Sequence, residues 1–176
     1  SVNFNGIPKK VTRLECGGLG IQILLEGCFD NYTLMRSLNL SRNRIRHLPR
    51  SIFRHNIRLR LLSLSSNHII TVDVNLFKTL RHLRHICLDN NGLTTVPEQL
   101  FACNPMLRSI SLRNNRLGRL CPAFFNLNFN DDGDGEDSDD DDGDCEEDDG
   151  NNTVREEAKG KKLTHQEETN EGVRKD

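Results

Sequence analysis

The sequence predicts a repeat solenoid of the α/β type: a short, curved, right-handed coil with a parallel β-sheet on its concave face, followed by a disordered acidic tail. Three observations carry that prediction. Four segments align without gaps at a spacing of 24 residues, starting at Met35, Leu59, Leu83 and Leu107. Each segment opens on a short apolar/polar alternation, as in Ser37-Leu38-Asn39-Leu40-Ser41, the pattern of a half-buried strand. The charges divide at residue 130: residues 1–130 hold 18 of the 24 basic and 6 of the 26 acidic residues, a balance of +12, and the remainder carries −14.

In chain order the divisions are 1–34, an N-terminal edge with a degenerate first repeat; 35–130, four regular repeats; 131–150, an acidic low-complexity segment; and 151–176, a mixed-charge disordered tail. The degenerate repeat begins at Val11, with Leu14, Ile21, Leu24 and Phe29 at the core positions, Cys16 for the second strand leucine and Leu19 for the recurrent asparagine. Terminal repeats are atypical because one face has no neighbour. In the regular repeats an asparagine recurs at Asn43, Asn67, Asn91 and Asn115, where the chain leaves the strand and its backbone groups lose their ladder partners. An amide both donates and accepts, so a column of Asn can satisfy those groups coil to coil. Phe29, Phe53, Phe77, Phe101 and Phe125 recur at the same period and are expected to fill the far side of each coil. The block Asp131–Gly150 holds 14 acidic residues and no basic one, and it lacks the apolar surface to offset its ordering entropy.

The recurring LxxLxLxxNxLxxLPxxxF pattern resembles the leucine-rich repeat family, in its 24-residue form common in extracellular proteins, from about residue 11 to residue 130. "VNFNGIP" resembles the last strand of that family's extracellular N-terminal caps, without the cysteine cluster that usually precedes it. The resemblance implies a non-catalytic recognition module that binds through its concave strand face, as part of an extracellular or membrane-anchored receptor or adhesion protein. A short repeat domain with an acidic tail is also similar to the acidic leucine-rich nuclear phosphoproteins. That resemblance implies a nuclear or cytoplasmic protein binding basic partners through its tail. Against it, the residues after the last repeat do not match that family's cap, and a basic repeat face repels a basic partner.

The binding expectation rests on charge. Arg36, Arg60, Arg84 and Arg108 occupy the second position of all four regular repeats, with Ser63, His85, Asp89 and Arg113 beside them on the strand face. Like charges stacked about 5 Å apart repel. The column is therefore read as a strip for an anionic surface: a protein partner first, or a sulfated glycan or other polyanion. Nucleic acid ranks last, because no aromatics interleave the arginines. The acidic block is the natural competitor for that strip within the same chain.

Other chemistry is sparse. Cys16 and Cys28 fall at interior positions, either as buried thiols or as a bridge; Cys87 points out of its strand; none of the six cysteines falls in a metal-like CxxC. His82 and His85 form a weak pair, and "NFNDDG" and "SDDDDG" imitate only the first half of a calcium loop. No cofactor, resident metal, catalytic signature or membrane-spanning run is expected. Asn31, Asn39 and Asn151 lie in glycosylation sequons, which matter only in a secreted protein.

Overall fold

The computed structural model describes Phe4, residues 6–118, and the backbone of residues 154–158 and 161–165. Five three-residue strands, β1 (Arg13–Glu15), β2 (Ser37–Asn39), β3 (Leu61–Ser63), β4 (His85–Cys87) and β5 (Ser109–Ser111), pair in parallel in chain order. The register advances by 24 residues at each step, so Leu14, Leu38, Leu62, Ile86 and Ile110 form one row. The result is a solenoid of about four turns. The returns opposite the sheet are turns, and no α-helix occurs among the described residues.

Each coil buries little alone and is covered by the next. The middle residue of every repeat strand is buried. Behind the sheet Phe29, Phe53, Phe77 and Phe101 stack with ring centroids 6.3, 6.2 and 5.6 Å apart, all nearly or fully buried. Phe4 closes the column, 5.1 Å from Phe29 and tilted by 52°, and its carbonyl accepts from the Tyr32 hydroxyl at 2.6 Å. The N-terminal edge thus covers the degenerate repeat. Phe125, expected in the same column, lies outside the described residues.

The asparagine column forms as the pattern requires. Asn67 Nδ2 donates to the carbonyls of Leu40 (2.9 Å), Leu64 (3.0 Å) and Ser65 (3.2 Å), and its Oδ1 accepts from Ile45 N–H at 3.0 Å. Asn43, Asn91 and Asn115 repeat this geometry. The residue before each asparagine, Arg42, Ser66, Asn90 or Asn114, adopts a left-handed backbone with φ of 52–55°, and Gly18 holds the same position at 70°. Two further amides, Asn56 and Asn104, lie fully inside the turns. Asn56 Nδ2 donates to Phe29 and Tyr32 carbonyls at 3.0 and 3.1 Å, and Asn104 Nδ2 to Phe77 and Leu80 carbonyls at 2.9 and 2.8 Å.

Beyond the repeats the backbone of β6 (Val154–Ala158) and β7 (Lys161–His165) forms an antiparallel pair whose inner member β7 joins β5 in parallel. Polar composition argues only against a side-chain core. A sheet edge offers unpaired N–H and C=O groups to any extended backbone, whatever its charge. The acidic segment 131–150 lies outside the described residues.

Candidate functional site

The sheet presents its outward side chains in columns fixed by register: Ser37, Leu61, His85 and Ser109 in one, Asn39, Ser63, Cys87 and Ser111 in the next. The arginines precede the strands and share the same ladder. Arg60 N–H donates to Arg36 carbonyl at 2.7 Å, Arg84 N–H to Arg60 carbonyl at 2.8 Å and Arg108 N–H to Arg84 carbonyl at 2.7 Å. Adjacent rungs of a sheet lie about 4.8 Å apart. The structure therefore brings Arg36, Arg60, Arg84 and Arg108 onto consecutive rungs. Arg36 and Arg108 are exposed; Arg60 and Arg84 are half-buried. Arg42, Arg60, Arg84 and His85 each engage partner groups of the same chain beyond these ladder bonds.

Asp89 sits on this face with its carboxylate nearly buried. It accepts from Ser111 Oγ at 2.6 and 2.8 Å and from Arg113 N–H at 2.7 Å. Equivalent positions one and two coils earlier hold Ser65 and Ser41, so Asp89 joins the third coil to the fourth with a charge-assisted set those serines cannot form. Its oxygens are spent inside the fold. The Arg113 Nε beside it is shielded from solvent and has no hydrogen-bond partner. Ser63 stays half-buried.

The cysteines separate into two kinds. Cys16, Cys28 and Cys103 are free thiols, which resolves the alternative left open for the first two. Burial raises the Cys16 pKa, and burial with the nearby Asp30 pushes Cys28 up to about 11. Both are poor nucleophiles at neutral pH. Cys87, in the outward column of β4, is disulfide-bonded. Spacing alone did not reveal that bond.

The remaining candidates are dispersed. His82 Nδ1 lies 2.9 Å from the Ile57 carbonyl, and His85 stands in β4. Among the described residues no group of three or more His, Cys, Asp or Glu is placed to hold a metal ion, and no helix is long and apolar enough to cross a membrane. Asn31 is exposed in a turn. Asn39 is half-buried in β2, its Oδ1 accepting from Ser41 N–H at 2.9 Å. Asn151 lies outside the described residues. On the turn side Arg54 pairs with Asp30, and Arg50 with Asp73 at 2.8 Å.

The 24-residue register, the asparagine column and the buried aromatic stack identify the repeat class. The leucine rich repeat family model matches residues 33–76 and 57–117. Residues 33–117 form a leucine-rich repeat array. No curated protein matches the sequence. Solved structures do. It is similar to a chain of the Toll–Spatzle complex, described as a hub in Drosophila development and innate immunity (26% identity, TM-score 0.57, 62% of this chain and 14% of that one). The glycosylated form of that complex gives 25% identity and a TM-score of 0.61 over 67% of this chain and 16% of that one. The leucine-rich repeat domain of APL1B gives 29% identity and a TM-score of 0.51 over 55% of this chain and 28% of that one. The chain thus spans only a minor part of the length of each of these relatives.

Proposed function

We propose that this chain is a non-catalytic recognition module whose concave strand face docks a protein or polyanionic partner, within an extracellular or membrane-anchored receptor or adhesion protein. The observation that carries the reading is the alignment of Arg36, Arg60, Arg84 and Arg108 on consecutive rungs. Four arginines on consecutive rungs raise the positive potential along this face, which favours an anionic surface. The Cys87 disulfide supports an oxidising compartment over the nucleus or cytoplasm. The similarity to the Toll–Spatzle complex supports a protein as the first class of partner. Ser63, His85 and Arg113 flank the strip and would set its selectivity, whereas Asp89 would act by holding the last two coils in register. In a secreted setting Asn31 would be the accessible glycan site, clear of the strand face.

Heparin chromatography of the chain lacking Asp131–Gly150 tests the strip. Reversing Arg60→Glu and Arg84→Glu together should lower the eluting salt markedly, with circular dichroism used to check that the reversed protein stays folded. Equal elution of the reversed and unreversed proteins would remove the arginine face as a binding surface.

A further inference from the structure

The segments 51–60, 75–84 and 99–108 bring the chain back from the turns into β3, β4 and β5. Together they hold seven Lys or Arg, two His and no Asp or Glu. In each, a fully buried leucine separates two outward residues: Leu59 between Arg58 and Arg60, Leu83 between His82 and Arg84, Leu107 between Met106 and Arg108. This strand-entry flank is therefore continuous with the arginine strip but lies outside the strand face. The coil-to-coil register persists along it. Thr79 Oγ1 donates to the Phe53 carbonyl at 3.1 Å, and His82 Nδ1 lies 2.9 Å from the Ile57 carbonyl. The Phe53 and Phe77 rings give the coil spacing on this side, 6.2 Å. Lys78 thus stands beside Arg54, and Arg81 and His82 beside Ile57 and Arg58, on adjoining coils.

Arg58, Lys78 and Arg81 are exposed, and among the described residues no ion pair engages them. Arg54 is answered by Asp30 of the preceding coil and marks the border of the patch. The opposite flank differs. Its cations Arg44, Arg46 and Arg50 sit on one coil, the coils on either side carry Glu26 and Asp73, and Arg50 pairs with Asp73 at 2.8 Å. Only on the strand-entry flank does uncompensated positive charge run across coils, where the potentials of neighbouring cations add. The surface also limits what it can hold. Protein hot spots centre on clustered apolar or aromatic anchors. Here the exposed Ile57 and Met106 are two coils apart, with Arg81 and His82 between them. Bases of nucleic acid need aromatic platforms or a helix to enter a groove. Phe53, Phe77 and Phe101 are buried, and no α-helix occurs among the described residues. The chemistry left is an anion whose charge repeats along a line and asks for no apolar centre.

We propose that the strand-entry flank, centred on Arg58, Lys78 and Arg81, is a site for a sulfated glycan chain, separate from the strand face and meeting it along Arg60 and Arg84. Guanidinium groups form paired, charge-assisted hydrogen bonds with oxyanions, and a lysine supplies a point charge. A glycan laid across the coils meets the three cations at once, so individually weak and salt-screened contacts sum. The site goes beyond the proposed function and shares with it only the extracellular setting. The glycan takes the flank and the protein partner takes the strand face, so the two ligands occupy the module together.

The full chain is titrated with a fluorescent heparin oligosaccharide at about 0.1 M salt, where the Debye length is about 10 Å. Arg58→Glu with Arg81→Glu should weaken binding about tenfold or more, since each basic residue beside an anionic surface contributes about fivefold. Arg44→Glu with Arg46→Glu makes the same change of charge on the opposite flank and should weaken it less than about threefold. Circular dichroism checks that each variant is folded; if the reversed pair is not, Arg58→Gln with Arg81→Gln should give a smaller fall in the same direction. No fall with the Arg58 and Arg81 pair, or equal falls for the two pairs, overturns the site. Desulfated heparin should bind poorly. A DNA duplex of equal charge that competes as well as heparin overturns the assignment to a sulfated glycan. The Arg60 and Arg84 reversal keeps the two surfaces apart. A fall there without one for Arg58 and Arg81 leaves the arginine strip and removes the flank, and the converse keeps the flank and removes the strip as a polyanion site.

Discussion

Removing the Asn67 side chain strands one buried group and spares three others. Leu40 carbonyl accepts from both Asn43 and Asn67, Leu64 carbonyl from Asn67 and Asn91, and Ser65 carbonyl from Asn67 and Arg42 N–H. Each keeps one donor when Asn67 becomes alanine. Ile45 N–H, which donates to Asn67 Oδ1 at 3.0 Å, is left without that acceptor inside the core. A stranded buried donor costs about 1–3 kcal/mol, and the shared carbonyls lose only their second, weaker partners. We therefore expect Asn67→Ala to lower stability by about 2 kcal/mol, which moves a urea midpoint by about 1 M at a typical slope of about 2 kcal/mol per molar. Asn115→Ala should cost less, because Asn115 itself is only half-buried, so less of its surroundings is closed to water than around Asn67. Asn67→Asp should be worse than alanine: it restores an acceptor for Ile45 but sets a second carboxylate oxygen against three carbonyls. Urea melts of the three variants decide. An unchanged midpoint for Asn67→Ala, or a larger shift for Asn115→Ala, refutes the account of the column.

Phe77→Ala should cost about 3–5 kcal/mol in the same assay, because the ring is fully buried between two stacked neighbours. Ser66→Gly should raise the melting temperature slightly and Ser66→Val lower it, since φ is +55° there and only glycine adopts it without strain. Cys28 ionises near 9.0 when unfolded and near 11 when folded, so the unfolded chain loses its proton first and stability falls as pH rises between those values; Cys28→Ala should flatten that fall in melts run against pH. In the native chain at pH 8, iodoacetamide should label exposed Cys103 quickly and Cys16 and Cys28 only after denaturant is added.

The repeat was legible because its constraints act at every coil. Each strand needs an inward apolar residue, and each exit from the strand needs an amide, so Leu62 and Asn67 recur in kind as well as in spacing. The left-handed residue before each asparagine was not legible, because Arg42, Ser66, Asn90 and Asn114 share a backbone conformation and no side-chain type. Gly18 alone carried the usual signal, in the coil that otherwise departs most from the pattern. Asn56 and Asn104 escaped notice because they alternate with Tyr32 and Leu80, so their period is twice that of the repeat. The β5–β7 pairing uses backbone groups that every sequence possesses. Among the candidate site residues, the arginine column was readable from register. The role of Asp89 was not, because it depends on a serine that meets it only across coils.

Every asparagine of the column reaches backward. Asn43 serves Cys16 and Ile21, Asn67 serves Leu40 and Ile45, Asn91 serves Leu64 and Ile69, and Asn115 serves Leu88 and Leu93. The strand-exit groups of a coil are therefore closed by the arrival of the one after it, not by the one before. On a ribosome this matches the order of emergence. Each new turn of 24 residues leaves the exit tunnel carrying the group that closes its predecessor, and the growing molecule exposes one incomplete turn at a time. A stalled or truncated chain would lack that closure only at its last turn, so its damage should stay local. A chain shortened from its beginning would keep this amide closure in every remaining coil and lose only the ladder partners and cover of its new first strand.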